Sequence, residues 1–386
     1  MMDWTDHHCR FFLRGFSPRV LLYTEMITAA AILRGDRARL LDFDPEEHPV
    51  ALQLGGSDPD ELAQAARMGE DWGYDEINLN CGCPSDRVHD GSFGACLMLR
   101  PGVVADSVAA MRAAVRIPVT VKARIGVVVG KGAAAHAAAA RFDDDDERAL
   151  EDFVSRIANA GADTLIVHAR KAVLGGLSPK DNREVPPLRH DVVRDLKLRF
   201  PQLPMVLNGG LRTAEQAHAA LNDLGIDGVM LGREAYHRPY VLAELDRLVY
   251  AAEDAAADAA QRGVVPYARA PPDRLVMLDR MAHYATRELA EGARLPGIIR
   301  HMLGLYSGEP GAREFRRVLS EGAREPGADA SLLRRAAQSA GLVAAAMRPA
   351  ASAASAASAA SAAPAASAAP AASAAPAAAA TRPPSA

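Results

Sequence analysis

The residues best able to do chemistry cluster in Asn78-Leu79-Asn80-Cys81-Gly82-Cys83-Pro84-Ser85-Asp86-Arg87, followed by Phe93-Gly94-Ala95-Cys96. A short apolar run, Glu76 to Leu79, stops at Asn, Cys, Gly and Pro, as a strand does when it empties into a loop. The loop presents Cys96 beside Gly94 and Ala95, whose small size leaves room for a substrate. A thiol so placed is either a nucleophile or a proton donor. The four cysteines are Cys9, Cys81, Cys83 and Cys96. Three of them fall near one site, which fits a reduced, cytoplasmic setting better than a disulfide framework. Cys81, Cys83, Cys96 and His89 do not have a standard zinc spacing, and no metal is expected. Cys81 and Cys83 read as small buried residues at the strand end, and Cys9, after His7-His8, as part of a surface helix start.

Polar and Gly-rich residues also end the other apolar runs: Gln53, Lys122, His168, Asn208-Gly209-Gly210 and Gly232-Arg233. Glycines let backbone N–H groups approach an anion, and Arg233 adds a charge-assisted bond, so the last two segments read as a phosphate site. A flavin ring offers acceptors and one donor along its pyrimidine edge. The Gln53 amide can satisfy both kinds, and Lys122 can stabilise negative charge on the reduced ring. Lys122 lies inside Val-Thr-Val-Lys-Ala-Arg, where an unpaired ammonium is costly to bury, and His168 follows Leu165-Ile166-Val167 as a candidate ligand-facing group.

Those positions must be held by the elements before them. Strands are expected at Val20–Glu25, Val50–Leu54, Glu76–Asn80, Val119–Arg124, Thr164–His168, Met205–Asn208 and Gly228–Gly232. Amphipathic helices are expected at Asp60–Trp72, Val103–Val115, Glu147–Ala160, His190–Phe200 and Ala214–Leu224. Repeated strand-then-helix order argues for a parallel sheet. Functional residues at nearly every strand end favour a (β/α)8 TIM barrel over an open sheet with one switch point. An eighth strand should precede Asp3, where only Met1 and Met2 stand, so the first strand is read as truncated and the natural start as lying upstream.

The chain has 386 residues and a net charge of -4, which argues against a general nucleic-acid coat but not against a local basic face. No apolar run is long enough to span a bilayer. The expected organisation is a catalytic barrel over 1–250 with an insertion at about 126–146, a linker over 251–272, a helical domain over 273–348 and a disordered Ala/Ser/Pro tail over 349–386. Asp143 to Asp146, inside the insertion, read as a solvated loop or helix start rather than a metal site.

These motifs resemble the tRNA-dihydrouridine synthase family, most closely its dihydrouridine synthase A subfamily. Besides Asn78 to Arg87 and Phe93 to Cys96, the resemblance rests on His168-Ala169-Arg170-Lys171 running on to Leu177-Ser178-Pro179-Lys180-Asp181-Asn182-Arg183-Glu184, and on Arg300-His301-Met302-Leu303-Gly304-Leu305. It implies an FMN-containing barrel plus a helical tRNA-binding domain. It also implies reduction of the uracil C5=C6 bond in the tRNA D-loop at positions 20 and 20a, with NADPH as electron source. Cys96 matches the proton donor. Gln53, Lys122, His168, Asn208, Gly209, Gly210, Gly232 and Arg233 match FMN contacts. Met1 and Met2 stand where the family has a Pro-Met pair against FMN. Asn80 and Arg170 resemble residues near the uracil, and Lys180, Arg183 and Arg300 resemble tRNA contacts. tRNA is the only macromolecular partner implied. Two alternatives are a small-molecule FMN oxidoreductase of the dihydroorotate-dehydrogenase type and a non-catalytic RNA-binding relative.

Overall fold

Short apolar runs bounded by Gly, Pro and Asp become parallel strands in the computed structural model, which describes residues 1–84, 93–250 and 271–342. The strands, in chain order, are β1 (Leu22–Thr28), β2 (Val50–Gly55), β3 (Glu76–Cys81), β4 (Val119–Arg124), β5 (Val127–Val129), β6 (Thr164–His168), β7 (Ala172–Leu174), β8 (Met205–Asn208) and β9 (Gly228–Met230). The main sheet has the order β1-β2-β3-β4-β6-β8-β9, and every pairing in it is parallel. This is the curled sheet of a (β/α)8-type barrel, and its C-terminal strand ends share one rim.

Helices cross between the strands, and their ends follow local chemistry. Pro59–Trp72 starts with Asp58 accepting from the Glu61 N–H and stops at Gly73, whose φ of 104° is the left-handed region that glycine tolerates. Pro101–Ala114, Asp144–Asn159, His190–Arg199 and Ala214–Leu224 follow β3, the excursion after β4, β6 and β8. Leu52, Leu62, Ile77, Val104, Val108, Val121 and Phe153 are all fully buried where helices meet the sheet.

Some expected boundaries shift. The first strand starts at Leu22 rather than Val20, because the Ser17 hydroxyl accepts the N–H groups of Arg19 and Val20 and turns the chain there. The insertion is structured. β5 pairs with β7 in a separate two-stranded sheet, and a helix covers Gly132–Ala140. The Asp run opens the next helix: Asp143 and Asp146 form a reciprocal capping box, and the Lys171 ammonium pairs with Asp146. Cys9 does begin a helix, His7–Arg14, but it is buried rather than on the surface. That helix is sandwiched between the barrel and the C-terminal helices.

No strand precedes His7 among the described residues. Residues 1–6 instead turn across the seam between β9 and β1. Met1 lies against Gly232 beyond β9, and the carboxylate of Glu25 in β1 lies near the N-terminal ammonium and the Asp3 backbone. The region expected to be helical forms Arg274–Ala290, Leu295–Ile299, Ala312–Gly322 and Ser331–Ser339. It packs on the barrel through a continuous apolar core. The Phe11 and Tyr284 rings stack with centroids 4.0 Å apart, Trp4 stacks on Tyr236 at 4.5 Å, and Arg280 lies over Phe11 at 4.1 Å. The 349–386 tail, residues 251–270 of the expected linker, and the loop stretch carrying Ser85, Asp86, Arg87 and His89 lie outside the described residues.

Candidate active site

Side chains two residues apart on a strand share a face. In β3 that puts Glu76, Asn78 and Asn80 on the inner face, and in β4 Thr120 and Lys122; bonds between the two strands bear this out. The Asn78 amide donates to Thr120 Oγ1 at 2.8 Å, and Gln53 of β2 donates to Asn78 Oδ1 at 2.9 Å. Asn80 donates to Gln53 Oε1 at 2.7 Å, while its own Oδ1 accepts the backbone N–H groups of Gly82 and Cys83, each at 3.0 Å. Gly82 and Cys83 are therefore pinned to the strand that precedes them.

Cys96 lies in a short 3-10 turn, Gly94–Leu99, held to the same rim. Ala95 N–H donates to Cys83 C=O at 2.9 Å, and the Arg124 N–H meets Met98 Sδ at 3.4 Å. The thiol donates to Phe93 C=O at 3.0 Å. Burial pushes its pKa up, against a smaller opposing pull from Arg100. The group is a thiol at neutral pH, fit to give a proton. Cys81 is buried as expected. Cys83 is only half-buried and lies among Lys122, Arg124 and Arg183, so it faces the mouth rather than the core.

Lys122 is the sharpest electrostatic feature. Among the described residues its ammonium has no hydrogen bond or ion pair, and burial with the nearby Arg124 charge lowers its pKa to about 8. His168 is 9% exposed, and burial plus the charges of Arg124, Lys122, Arg170 and Arg183 hold it well below the usual imidazole range, in its neutral form. Arg124 was not singled out in the sequence. It is buried and, among the described residues, meets no carboxylate, donating to the carbonyls of Gly82 (3.1 Å), Lys171 (3.2 Å) and Asn182 (2.8 Å). Arg183 adds a buried Nε that has no partner among the described residues.

Gly209 and Gly210, with φ of 109° and 79°, bring the backbone against these groups. A Cβ on Gly209 would lie 2.5 Å from His168 Cδ2, and one on Gly210 would strike Leu188. Asn208 is tied to the Met230 carbonyl at 2.8 Å, which joins the ends of β8 and β9. Met1 lies beside Gly232, whereas Met2 is 55% exposed. Arg233 is exposed and paired with Glu184 at 2.9 Å.

The substrate-side candidates divide. Arg170 donates to the Pro186 and Glu184 carbonyls, and Asn182, fully buried, bonds the Val173 N–H and the Val173 and Leu177 carbonyls. Asn182 thus braces the loop that carries exposed Lys180 and half-buried Arg183. Arg300 sits apart from the rim cluster, paired with Asp6 at 2.6 Å. Sequence reasoning gave no individual role to Arg124, Asn182 or the inner-face set Glu76, Asn78 and Thr120. The alternation Glu-Ile-Asn-Leu-Asn in β3 was the available signal for the last group.

Among the described residues, clustered cations, a guanidinium nitrogen without a partner and a paired-glycine cradle suit an anion that carries a ring with acceptor atoms, so the residues present fit a flavin phosphate and its ring. The fold and rim define a barrel enzyme with an anion-receiving mouth. Comparison with known proteins makes the class specific. The family described as "Dihydrouridine synthase (Dus)" matches residues 1–341. The tRNA-dihydrouridine(20/20a) synthase of Xanthomonas campestris pv. campestris is 52% identical over 338 residues, 88% of this chain and 91% of the relative. Proteins of the same name from Salmonella typhi and Synechocystis sp. are 50% and 49% identical, covering 87% and 88% of this chain and 92% of each relative. The chain belongs to the dihydrouridine synthase family. No helix among the described residues is long and apolar enough to cross a membrane.

Proposed function

We propose that this chain reduces the C5=C6 bond of uridine in the tRNA D-loop, at positions 20 and 20a, with bound FMN and with NADPH as the electron source, in the cytoplasm. The observation that carries this reading is a protonated thiol on the same rim as a lysine that has no partner among the described residues and a glycine cradle. A flavin held there, once reduced by the nicotinamide donor, would supply a hydride to uracil C6. Cys96 then gives its proton to C5, and the resulting thiolate is reprotonated from solvent. The net change is one uridine, one NADPH and one proton to one dihydrouridine and one NADP+.

The chain's own residues do the rest. Gln53, Lys122, His168, Asn208, Gly209, Gly210, Gly232 and Arg233, with Met1, hold the cofactor. Lys122 offsets negative charge on the reduced ring, and neutral His168 donates or accepts without adding charge. Asn80 and Arg170 orient the base, which must leave its stack to enter the mouth. Lys180, Arg183 and Arg300 hold the tRNA backbone. In this reading 1–250 is the catalytic part and 273–348 the tRNA-binding part. A helical region packed on the barrel favours tRNA over a free pyrimidine as substrate.

Two measurements test the proposal. Purified protein should show flavin absorbance, or gain it on reconstitution with FMN. tRNA from a deletion strain should lack dihydrouridine at both positions; unchanged dihydrouridine would overturn the assignment.

A further inference from the structure

A run of hydrogen bonds crosses the inside of the barrel, and its direction is not free. The N–H groups of Gly82 and Cys83 can only donate, so Asn80 Oδ1 must accept from both. That turns Asn80 Nδ2 toward Gln53 as a donor, at 2.7 Å, and Gln53 must answer with Oε1. Gln53 Nε2 then donates to Asn78 Oδ1 at 2.9 Å, and Asn78 Nδ2 donates to Thr120 Oγ1 at 2.8 Å. The Thr120 hydroxyl has accepted, so its one proton must find an acceptor. That acceptor is Glu76 Oε1, at 2.6 Å, which also receives the Tyr23 hydroxyl at 2.8 Å.

We propose that Glu76 is a positioning residue: the Gly82 and Cys83 N–H groups set the direction of this one-way chain at the rim, and Glu76, by taking the last proton, secures it from the other end and so holds the Gln53 and Asn80 amides with one edge toward the barrel mouth. Glu76 lies at the start of β3 and the two amides lie near the rim, so the carboxylate touches neither cofactor nor substrate. Its effect travels through Thr120 and Asn78. Were Gln53 to flip, its NH2 would meet the NH2 of Asn80, and its carbonyl would meet the carbonyl of Asn78. The chain makes that state unfavourable, leaving Gln53 with one unused N–H and one unused lone pair in a set arrangement. A residue that must both donate to and accept from a flavin edge benefits from that preorganisation. The inference rests on the proposed FMN reading for its functional consequence, but not for the chain itself.

Four variants of the full-length protein and one control test it. Glu76→Met and Thr120→Val keep volume but break the chain. Glu76→Gln and Thr120→Ser keep an acceptor or hydroxyl in place. Leu52→Ala is the control, since Leu52 lies in β2 on the face packed against Gly69 of the neighbouring helix, away from the chain. Hydrogen–deuterium exchange of the peptide containing Gly82 and Cys83, in flavin-free protein, should speed up in Glu76→Met and Thr120→Val. FMN affinity, followed by flavin fluorescence quenching, should weaken about tenfold in both. Glu76→Gln and Thr120→Ser should return both readouts close to the wild type. Leu52→Ala should lower the melting temperature and leave both unchanged.

Folded Glu76→Met with wild-type exchange and wild-type FMN affinity overturns the proposal. If that variant does not fold, Thr120→Val decides by the same two readouts. Wild-type protein that binds no FMN would defeat the proposed function, and the exchange experiment on flavin-free protein would still decide whether the chain holds the loop.

Discussion

Cys96 and Lys122 are each held in an unusual state by their surroundings. Burial keeps the Cys96 thiol protonated beyond the ordinary thiol range, which suits a proton donor and would hinder a nucleophile. Cys96→Ala is expected to keep FMN and tRNA binding and to lower turnover about 10²–10³-fold, measured by single-turnover assay on unmodified tRNA. In the wild type, turnover should fall on the alkaline side as the thiol ionises above its ordinary value, and that limb should vanish in the alanine variant. Lys122 is the opposite case, a cation kept where it is costly. Its folded pKa of about 8 lies below its ordinary value, so the unfolded chain binds more protons and stability rises with pH between the two. Lys122→Met should therefore stabilise the flavin-free protein at pH 7, by roughly 1–3 kcal/mol in urea denaturation, while weakening FMN. A variant that is neither more stable nor poorer in flavin binding would remove the electrostatic role. Both residues were legible in the sequence by their neighbours: small residues beside Cys96, and an apolar strand around Lys122. Arg124 was not, because one strand residue of either parity looks the same until the loop of residues 171–182 folds over it.

At the level of elements, strand ends were easier to read than helix surfaces. β4, β6 and β8 have the bounds their apolar runs imply. β1 does not, because the Ser17 hydroxyl accepts the N–H groups of Arg19 and Val20 and delays it. The helix His7–Arg14 was misread at Cys9, since a polar run beside two histidines gives no sign that a second layer covers it. Asp6 is the joint. Its carboxylate caps this helix at the Cys9 N–H (2.9 Å) and also meets Arg300 at 2.6 Å and His301 at 2.9 Å. Burial alone would raise the Asp6 pKa, but the bonds from His301, Cys9 and Arg300 hold it well below the usual carboxylate range. Its stabilisation is therefore present above about pH 4 and is lost as pH falls through the folded value. Asp6→Ala should cost about 2–3 kcal/mol at neutral pH, and the difference from wild type should shrink in acid; urea titrations at pH 7 and pH 3 check both.

Across the whole molecule, a net charge of -4 conceals a positive mouth formed by Lys122, Arg124, Arg170, Arg183 and Arg233, opposed there by Glu184. The helical region packs beside that barrel through the N-terminal residues, with Arg300 at the junction. Arg300→Ala should weaken tRNA binding and reduce the slope of log affinity against log salt by about one for each phosphate left without its cation. Equal slopes for variant and wild type would exclude a phosphate at Arg300. Arg300 also contributes to the Asp6 joint, so the binding assay must be paired with a melting curve showing the variant folded.

The chain order alone determined the repeating strand–helix units, the strand ends bearing Gln53, Lys122, His168 and Asn208, and the thiol of Cys96 in the loop after β3. Those depend on local periodicity and turn chemistry, which short windows contain. Tertiary structure alone decided that Arg124 is buried against backbone carbonyls, that Cys83 faces the mouth, that Asp6 meets His301, and that Glu76 ends a hydrogen-bond chain passing through three strands. Each of these depends on register and on the meeting of residues far apart in sequence, and no local window carries that information.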